Sequence, residues 1–474
     1  MTEPQPRPGG RRAAAVRRRR VDVLVALALV LPTVVALCLG AIGDERSPSA
    51  GPQPPTTAEL TSATVVCPAG LRPTSGVRAG RTPDVPGGPL EVLSAAPTGG
   101  ALADAAPVTA DGDGTVALPD SAGPVVLDGR GRAAPGIVAG RDDPLAVPEC
   151  RAPAYDEWLV GVGASARYAS TLELVNPDEG EAVVDVALYG EQGPIEEPAL
   201  RGIQVPGRSV QRIDLATAAP RREITAAHLT VTRGRVSATV RTTRDQLGAA
   251  RATTDYLPAQ ARPETDSLLL GVPADVRAAT LYVANPGDDE VRAQVRLVTA
   301  EATFTPTDAP EVSVPPHSLQ AVDLGPLLTG ENAAGVVGVL VESADPLVAS
   351  ARLVARRDLA LLAPVASFRT ATGTVLPAGE KSLLLGDADR TGVVHVTSYA
   401  ADGSPLGDDR VEVAPDRAAT LPLPADAVAV TVDPRNTRIA GIVSLPAGGG
   451  EPGLATLRLR PAQTHARIPV VTAD

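Results

Sequence analysis

Leu174-Val175-Asn176-Pro177, followed by Val205-Pro206-Gly207-Arg208-Ser209, returns 109 residues later as Val283-Ala284-Asn285-Pro286 and Val314-Pro315-Pro316-His317-Ser318. A fainter copy of the second phrase stands at Val413-Ala414-Pro415-Asp416-Arg417. A domain-sized repeat marks an array of similar modules rather than one large catalytic domain. Spacing survives where identity fades: Val205 to Ile213, Val314 to Val322 and Val413 to Leu421 are each eight residues apart. Each pair frames a Pro-containing turn. Asn176-Pro177-Asp178 and Asn285-Pro286-Gly287-Asp288 are turn sequences too, Pro setting φ at the second position.

Between the turns the chain alternates. Ala182, Val184, Val186 and Leu188 share one face, matched by Val291, Ala293, Val295 and Leu297, while Arg292, Gln294 and Arg296 point the other way. One face buried and one wet is the pattern of an antiparallel sheet. In the first copy the candidate strands are Trp158–Val160, Thr171–Val175, Ala182–Tyr189, Ile203–Val205, Val210–Leu215, His228–Val231 and Arg235–Arg241. About seven short strands in ~100 residues is the count of an immunoglobulin-like β-sandwich. In the third copy only eight residues separate Gly386 from Val394, so the strand that ends in Asn-Pro is expected to be missing. The fold class is therefore all-β: tandem immunoglobulin-like sandwiches after an N-terminal transmembrane helix.

That helix is read from charge and hydropathy. Arg17-Arg18-Arg19-Arg20 runs into an apolar stretch that, beyond Asp22, carries no charge until Asp44. About 21 apolar residues at 1.5 Å each span ~30 Å, a bilayer core. The Arg cluster places residues 1–20 in the cytoplasm and residues 44–474 outside. A cleaved signal peptide ending near Ala41-Ile42-Gly43 is the competing reading, which makes the body secreted. Beyond Asp22 the chain holds 36 basic and 53 acidic residues, a balance that argues against nucleic acid. The sole lysine is Lys381, which fits a GC-rich coding bias. Cys67 and Cys150 are the two cysteines outside the apolar run; in an oxidising compartment they are expected to form a disulfide. Closing that long loop contributes about 4–5 kcal/mol in the chain-entropy model.

The resulting division is a basic tail (1–20), a membrane span (21–43) and a Pro-rich stalk (44–62). Then come a Cys-bracketed β-rich segment (63–152) and three sandwich repeats (153–262, 263–370 and 371–474). The Cys-bracketed segment reads as a degenerate or incomplete copy of the repeat. Asp111-Gly112-Asp113-Gly114 within it reads as a hairpin turn, since the remaining ligands of a calcium loop are missing from the sequence. Each copy is expected to close its own core and to unfold separately.

The run from Cys150 through Tyr155 and Trp158 to Gly161, then Leu172 to Pro177, then Val205 to Ser209, resembles an actinobacterial family of envelope-exported proteins known only as a domain of unknown function. The likeness extends over roughly residues 63–460. It implies an anchored or secreted β-rich protein of the high-GC Gram-positive envelope, and it brings no catalytic residues.

Nothing in the repeated residues is reactive. His228, His317, His395 and His465 lie far apart at non-equivalent points of the repeat, without ligand spacing for a metal. There is no Gly-x-Ser-x-Gly elbow, no phosphate-cradling loop before a helix and no Ser-x-x-Lys. Trp158, Tyr189 and Tyr399 are the candidate rings for surface binding, Tyr189 and Tyr399 being equivalent when Val184 is aligned with Val394. The expectation is a non-enzyme without metal or cofactor, held at the membrane through residues 21–43. Its role is to scaffold or bind an unknown envelope protein or polymer; the alternative is a module that binds cell-wall polysaccharide.

Overall fold

The computed structural model describes residues 23, 25–28, 30–35, 37, 56–83, 85–111, 114–119, 122–143, 146–246, 248, 251–329, 333–355, 358–446 and 454–468. The chain forms two compact units, residues 1–58 with 467–474, and residues 59–466. In the first, the described positions between 23 and 37 are helical. Among the described residues no helix is long and apolar enough to cross a membrane. The basic tail, both ends of the expected span, most of the stalk and the Gly112-Asp113 turn lie outside the described residues. The last part of the expected stalk is not coil: Thr56–Glu59 is a strand and Ser62 opens another.

The third repeat shows the module most plainly. Its eight strands are Thr372–Val375, Lys381–Gly386, Gly392–Tyr399, Pro405–Val413, Ala419–Leu423, Ala429–Arg435, Ala440–Pro446 and Leu454–Arg458. One sheet runs in the order first, sixth, third, fourth; the other runs fifth, second, seventh, eighth. Val394, Val396, Val430 and Val432 from the first sheet meet Leu383, Leu385, Val443 and Leu457 from the second in a single core. An immunoglobulin sandwich sets its first strand beside its second. Here the first strand pairs with the sixth and the second lies in the opposite sheet.

The same order recurs four times. In the first repeat, Asp156–Ala164 pairs with Arg222–Arg233 and Tyr168–Asn176 sits between Ser209–Asp214 and Ser237–Arg244. The eighth strand, Thr253–Leu257, flanks the seventh. In the second repeat, strands six and seven are one continuous run, Val336–Ala355. Its first part pairs in one sheet and its second part in the other, with exposed Ala344, Asp345 and Pro346 at the crossing. The N-terminal module has seven of the eight strands, from Ser62–Cys67 to Ile137–Arg141, in the same pairing order. Its sequence likeness is faint, yet its topology is complete through strand seven.

This order corrects the reading of the third repeat. The strand expected to be missing is Lys381–Gly386, which takes the central place held by Tyr168–Asn176 and Val276–Asn285. What differs is the fastening of its end. In the first two repeats the Asn side chain bridges its own turn to the fourth strand. Asn176 Nδ2 donates to the carbonyls of Gly180 and Val205, at 2.8 and 3.0 Å, and Asn285 Nδ2 donates to Asp289 and Val314, at 2.7 and 3.0 Å. In the third repeat Asp389 instead accepts from the Arg438 N–H at 2.7 Å, tying the turn to the hairpin between strands six and seven. Lys381 opens this strand and is buried. Its ammonium donates to the carbonyls of Gly379, Pro424 and Ala425, at 2.6, 3.3 and 2.8 Å. Three donors on one nitrogen suit three carbonyls better than a planar guanidinium fork does. Burial lowers its pKa to about 8, against Asp426 and Asp142.

The turn between strands four and five recurs in backbone as well as in spacing. Arg208, His317 and Asp416 occupy its equivalent position with φ of 47°, 50° and 56°. A left-handed residue there is a demand of the turn, whichever side chain fills the position.

The modules pack head to tail. The outer face of the first sheet of each module covers the second sheet of the next. Val66, Leu93 and Val126 meet Val175 and Val210 of the first repeat. Trp158, Val160 and Ala226 meet Tyr282, Ala284 and Val348 of the second. Leu268, Leu270 and Val298 meet Leu384, Ala440 and Ile442 of the third. The third repeat then returns to the N-terminal module: Thr115 N–H donates to Ala401 O at 3.2 Å and Gly136 N–H to Gln463 O at 2.9 Å. Head-to-tail contacts that return to their start make a closed ring.

The eighth strands link successive repeats. Asp255 accepts from the Leu361 N–H at 2.8 Å, and Asp358 accepts from the Leu454 N–H at 2.9 Å. Leu359 and Leu361 of the second repeat lie in the core of the first, and Leu454 of the third lies in the core of the second. Each module thus has a core cluster of its own, but the eighth strands of the second and third repeats lend residues to the core of the module before.

Two outcomes follow for stability. A Cβ at Gly140 would lie 2.6 Å from the Val375 carbonyl oxygen across the ring closure, whereas one at Gly180 meets nothing within 4 Å. Gly140→Ala should lower stability by about 1–3 kcal/mol in a denaturant titration, with Gly180→Ala near neutral. Val295→Asp buries a charge in the second core and should melt the first repeat with the second, in one calorimetric transition. A first repeat that melts at its original temperature would show that the shared cores do not couple.

Candidate binding cleft and charged hub

The rings singled out in the sequence do not form a surface platform. Trp158 is only 4% exposed and is stacked on His228, with ring centroids 4.2 Å apart and planes 7° from parallel. Tyr189 lies 5.2 Å from the same indole. Trp158 alternates on its strand with core residues Leu159 and Val162, but its own side faces the second repeat, so it fills a junction between modules. Tyr189 and Tyr399 do prove equivalent: they pair with Ala226 and Ala429 at the same place in the third strand. Tyr189 packs toward the second repeat, and Tyr399 lies beside Gly80, Thr115 and Val138 of the N-terminal module. Trp158 is thus buried at a junction, and Tyr189 and Tyr399 lie half-buried beside one. The most exposed rings among the described residues are Tyr155, at 62%, and Phe304, at 40%, on different repeats.

Beside the Trp158 junction lies a cleft of about 670 Å³ between the first and second repeats. That volume is in the range of small-molecule and peptide pockets. The first repeat contributes the hairpin from Gly190 to Glu196 and the start of its sixth strand, Arg221 to Thr225. The second contributes Thr280, Tyr282, Ala321 and Arg352. The Arg352 guanidinium sits 3.8 Å from the Tyr168 ring centroid and 5.0 Å from that of Tyr282. Each such cation–π contact is worth about 0.5–2 kcal/mol, so the side chain is held in place. Its Nη1 is buried without a hydrogen-bond partner among the described residues. Burial pushes the Tyr282 hydroxyl up to about 12, against the pull of Arg352. The sequence gives no warning of this site, because Arg352 and Tyr282 belong to different strands and Tyr168 to another module.

A second polar cluster joins the linker after the N-terminal module to the three repeats. Glu149, next to the disulfide-bonded Cys150, accepts from Arg458 Nε at 2.5 Å and Nη2 at 2.9 Å. Arg458 also donates to the carbonyls of Pro364 and Ala259, at 2.7 and 2.8 Å, so one side chain ties three modules to the linker. Arg151, on the other side of Cys150, is bonded to Glu157 and to the Ala238 carbonyl. A cavity of about 390 Å³ borders the group, lined by Ala63, Glu149, Arg151, Arg458, Arg460 and Gln463 among others. The Cys67–Cys150 bond is present and joins the N-terminal module to this linker. Burial alone would raise the Glu149 pKa; Arg458, Arg460 and Arg151 overcome it and bring the carboxyl down to about 2.

The hub is structural, since every charge in it has a partner. Among the described residues no three His, Cys, Asp or Glu converge as a metal site. His228 meets Asp156 at 2.9 Å and His317 meets Asp288 at 2.8 Å, each on its own.

A carboxyl whose folded pKa lies below its unfolded value, ~4.3, adds stability above that value and loses it as pH falls toward 2. Arg458→Met leaves Glu149 buried with less compensation and should cost about 3–5 kcal/mol at pH 7. That deficit should shrink as pH drops below ~4, where a protonated Glu149 tolerates burial. Denaturant midpoints across pH 3–8 check both parts; a deficit independent of pH would assign the loss to packing alone.

Compared with curated proteins, the chain matches none. A protein-family model does match residues 121–424, more than half of the chain and most of the ring, and its description is Family of unknown function (DUF5719). The chain belongs to that family.

Proposed function

We propose that this protein is a non-catalytic partner-binding scaffold of an actinobacterial cell envelope. A single apolar segment at residues 21–43 holds it in the membrane, with the basic tail inside and the ring outside. The observation that carries the binding role is the cleft between the first and second repeats. It is an opening of ligand size between two repeats, with walls of mixed charge and hydroxyl groups. The compartment is supported by the Cys67–Cys150 bond, which suits an oxidising environment. It is also supported by the helix of the first unit, whose Val23, Val25, Leu27, Val30, Leu31, Val34, Val35 and Leu37 are 48% to 73% exposed. An apolar surface of that kind asks for a lipid or protein cover.

The polysaccharide alternative loses ground on the rings. Sugar platforms need exposed aromatic faces, and Trp158, Tyr189 and Tyr399 are engaged between modules.

In wall-stripped intact cells, a tag at the C-terminus should be removed by added protease while a cytoplasmic marker survives. Purified chain should stay in the supernatant when mixed with isolated wall polysaccharide. A protected tag would overturn the topology, and co-sedimentation would favour the sugar reader.

A further inference from the structure

The cleft has a filled counterpart in the same chain. In the first repeat Thr171 pairs with Arg241, and Glu173 with Arg212; in the second, Thr280 pairs with Arg352, and Tyr282 with Ala321. These two sets of residues occupy one position of the fold. In the first repeat the space around them is a crevice of about 10 Å³, because Ala69 of the N-terminal module has entered it. The Ala69 N–H donates to Glu173 Oε1 at 3.0 Å, and its carbonyl accepts from the Tyr256 hydroxyl. Glu173 is balanced by Arg212 at 2.6 Å. A short stretch of backbone therefore plugs this position, recognised through both its donor and its acceptor.

Loop length decides why the next junction stays open. Between the first and second strands the N-terminal module has residues 68–76, nine residues that reach across to the first repeat. The first repeat has only residues 165–167 at that place. Its short turn brings Tyr168 under Arg352 and no further, leaving the cleft of about 670 Å³. The wall has changed as well. Tyr282 and Ala321 replace the Glu173–Arg212 pair, and Arg352 has no carboxylate among the described residues.

We propose that this cleft receives a short extended segment of a partner protein, carrying an acidic residue that pairs with Arg352. The inference rests on the partner-binding reading and names its site. Backbone is the occupant at the equivalent position, and the charge left unanswered there is positive. A guanidinium held between two rings is preorganised for a carboxylate, and such charge-assisted bonds are roughly twice as strong as neutral ones. The glutamates that line the cleft, Glu191, Glu196 and Glu223, come from the first repeat, as do Arg221 and Arg222, and among the described residues none forms a salt bridge with Arg352. The Tyr168 and Tyr282 faces are taken by Arg352, so they do not offer a sugar platform.

The test uses the full chain, purified in detergent and immobilised, with a displayed pool of random heptapeptides as the probe. Selected peptides should be enriched in Asp or Glu, and changing that acid to its amide should weaken binding. Arg352→Met keeps the apolar stem between the rings and should weaken the selected peptides by about tenfold or more. Replacing residues 165–167 with the loop 68–76 should block binding while keeping Arg352. That variant decides the matter if Arg352→Met fails to fold. Peptides without acidic residues, or peptides that bind both variants as well as the original chain, would overturn the proposal. Binding of that second kind would leave partner recognition standing elsewhere on the ring. Co-sedimentation with wall polysaccharide would instead strike at the partner-binding reading itself.

Discussion

At three junctions the sandwiches present apolar side chains on outer sheet faces, beyond those in their own cores, and water penalises every one left uncovered. Trp158 and Val160 on one sheet of the first repeat, and Val175 and Val210 on the other, cannot be buried by that repeat alone. A linear row would leave two sheet faces uncovered at its ends. Closure of the third repeat onto the N-terminal module removes the ends, and Gly140 is small enough to let the Val375 backbone approach. From this constraint follow the head-to-tail order and the places of Trp158 and Tyr282 at a junction.

Closure also explains why so much charge lies inside. Where four modules converge, loop and strand ends bring carbonyls that no ladder satisfies, and Arg458 and Arg151 reach them. Glu149, the partner of Arg458, and Arg151 itself flank Cys150 in the linker that leaves the N-terminal module, and Glu157, the partner of Arg151, stands on the first strand of the first repeat. Buried ion pairs of this kind add little net stability against an apolar alternative, but breaking one is costly. The disulfide fastens the same linker covalently, so the hub and the thiol pair restrain one stretch of chain from both sides.

The cleft is a by-product of the same scheme. Where the fold repeats but a connecting loop is shorter, an identical junction is left with an unfilled place. The chain shows both states side by side, Ala69 seated against Glu173 at one junction and open space beside Arg352 at the next. The difference lies in the loops, where length is free to vary without disturbing the sheets.

The residues by themselves determined what is local. Alternation at Ala182–Leu188 and Val291–Leu297 gave strands, because period two puts one face inward wherever the partner lies. The Asn-Pro turns and the eight-residue spacing fixed the repeat, because turn chemistry acts over a few residues. Compartment logic pointed to the Cys67–Cys150 bond. Only the tertiary structure decided which strands pair. The missing strand of the third repeat turned out to be Lys381–Gly386 because pairing depends on partners about 40 and 60 residues away, at Leu423 and Ser444. It decided that the N-terminal segment is a module too, and that Trp158 is buried. Exposure of a ring depends on what a neighbouring module brings to it, and no period or motif within one strand carries that information.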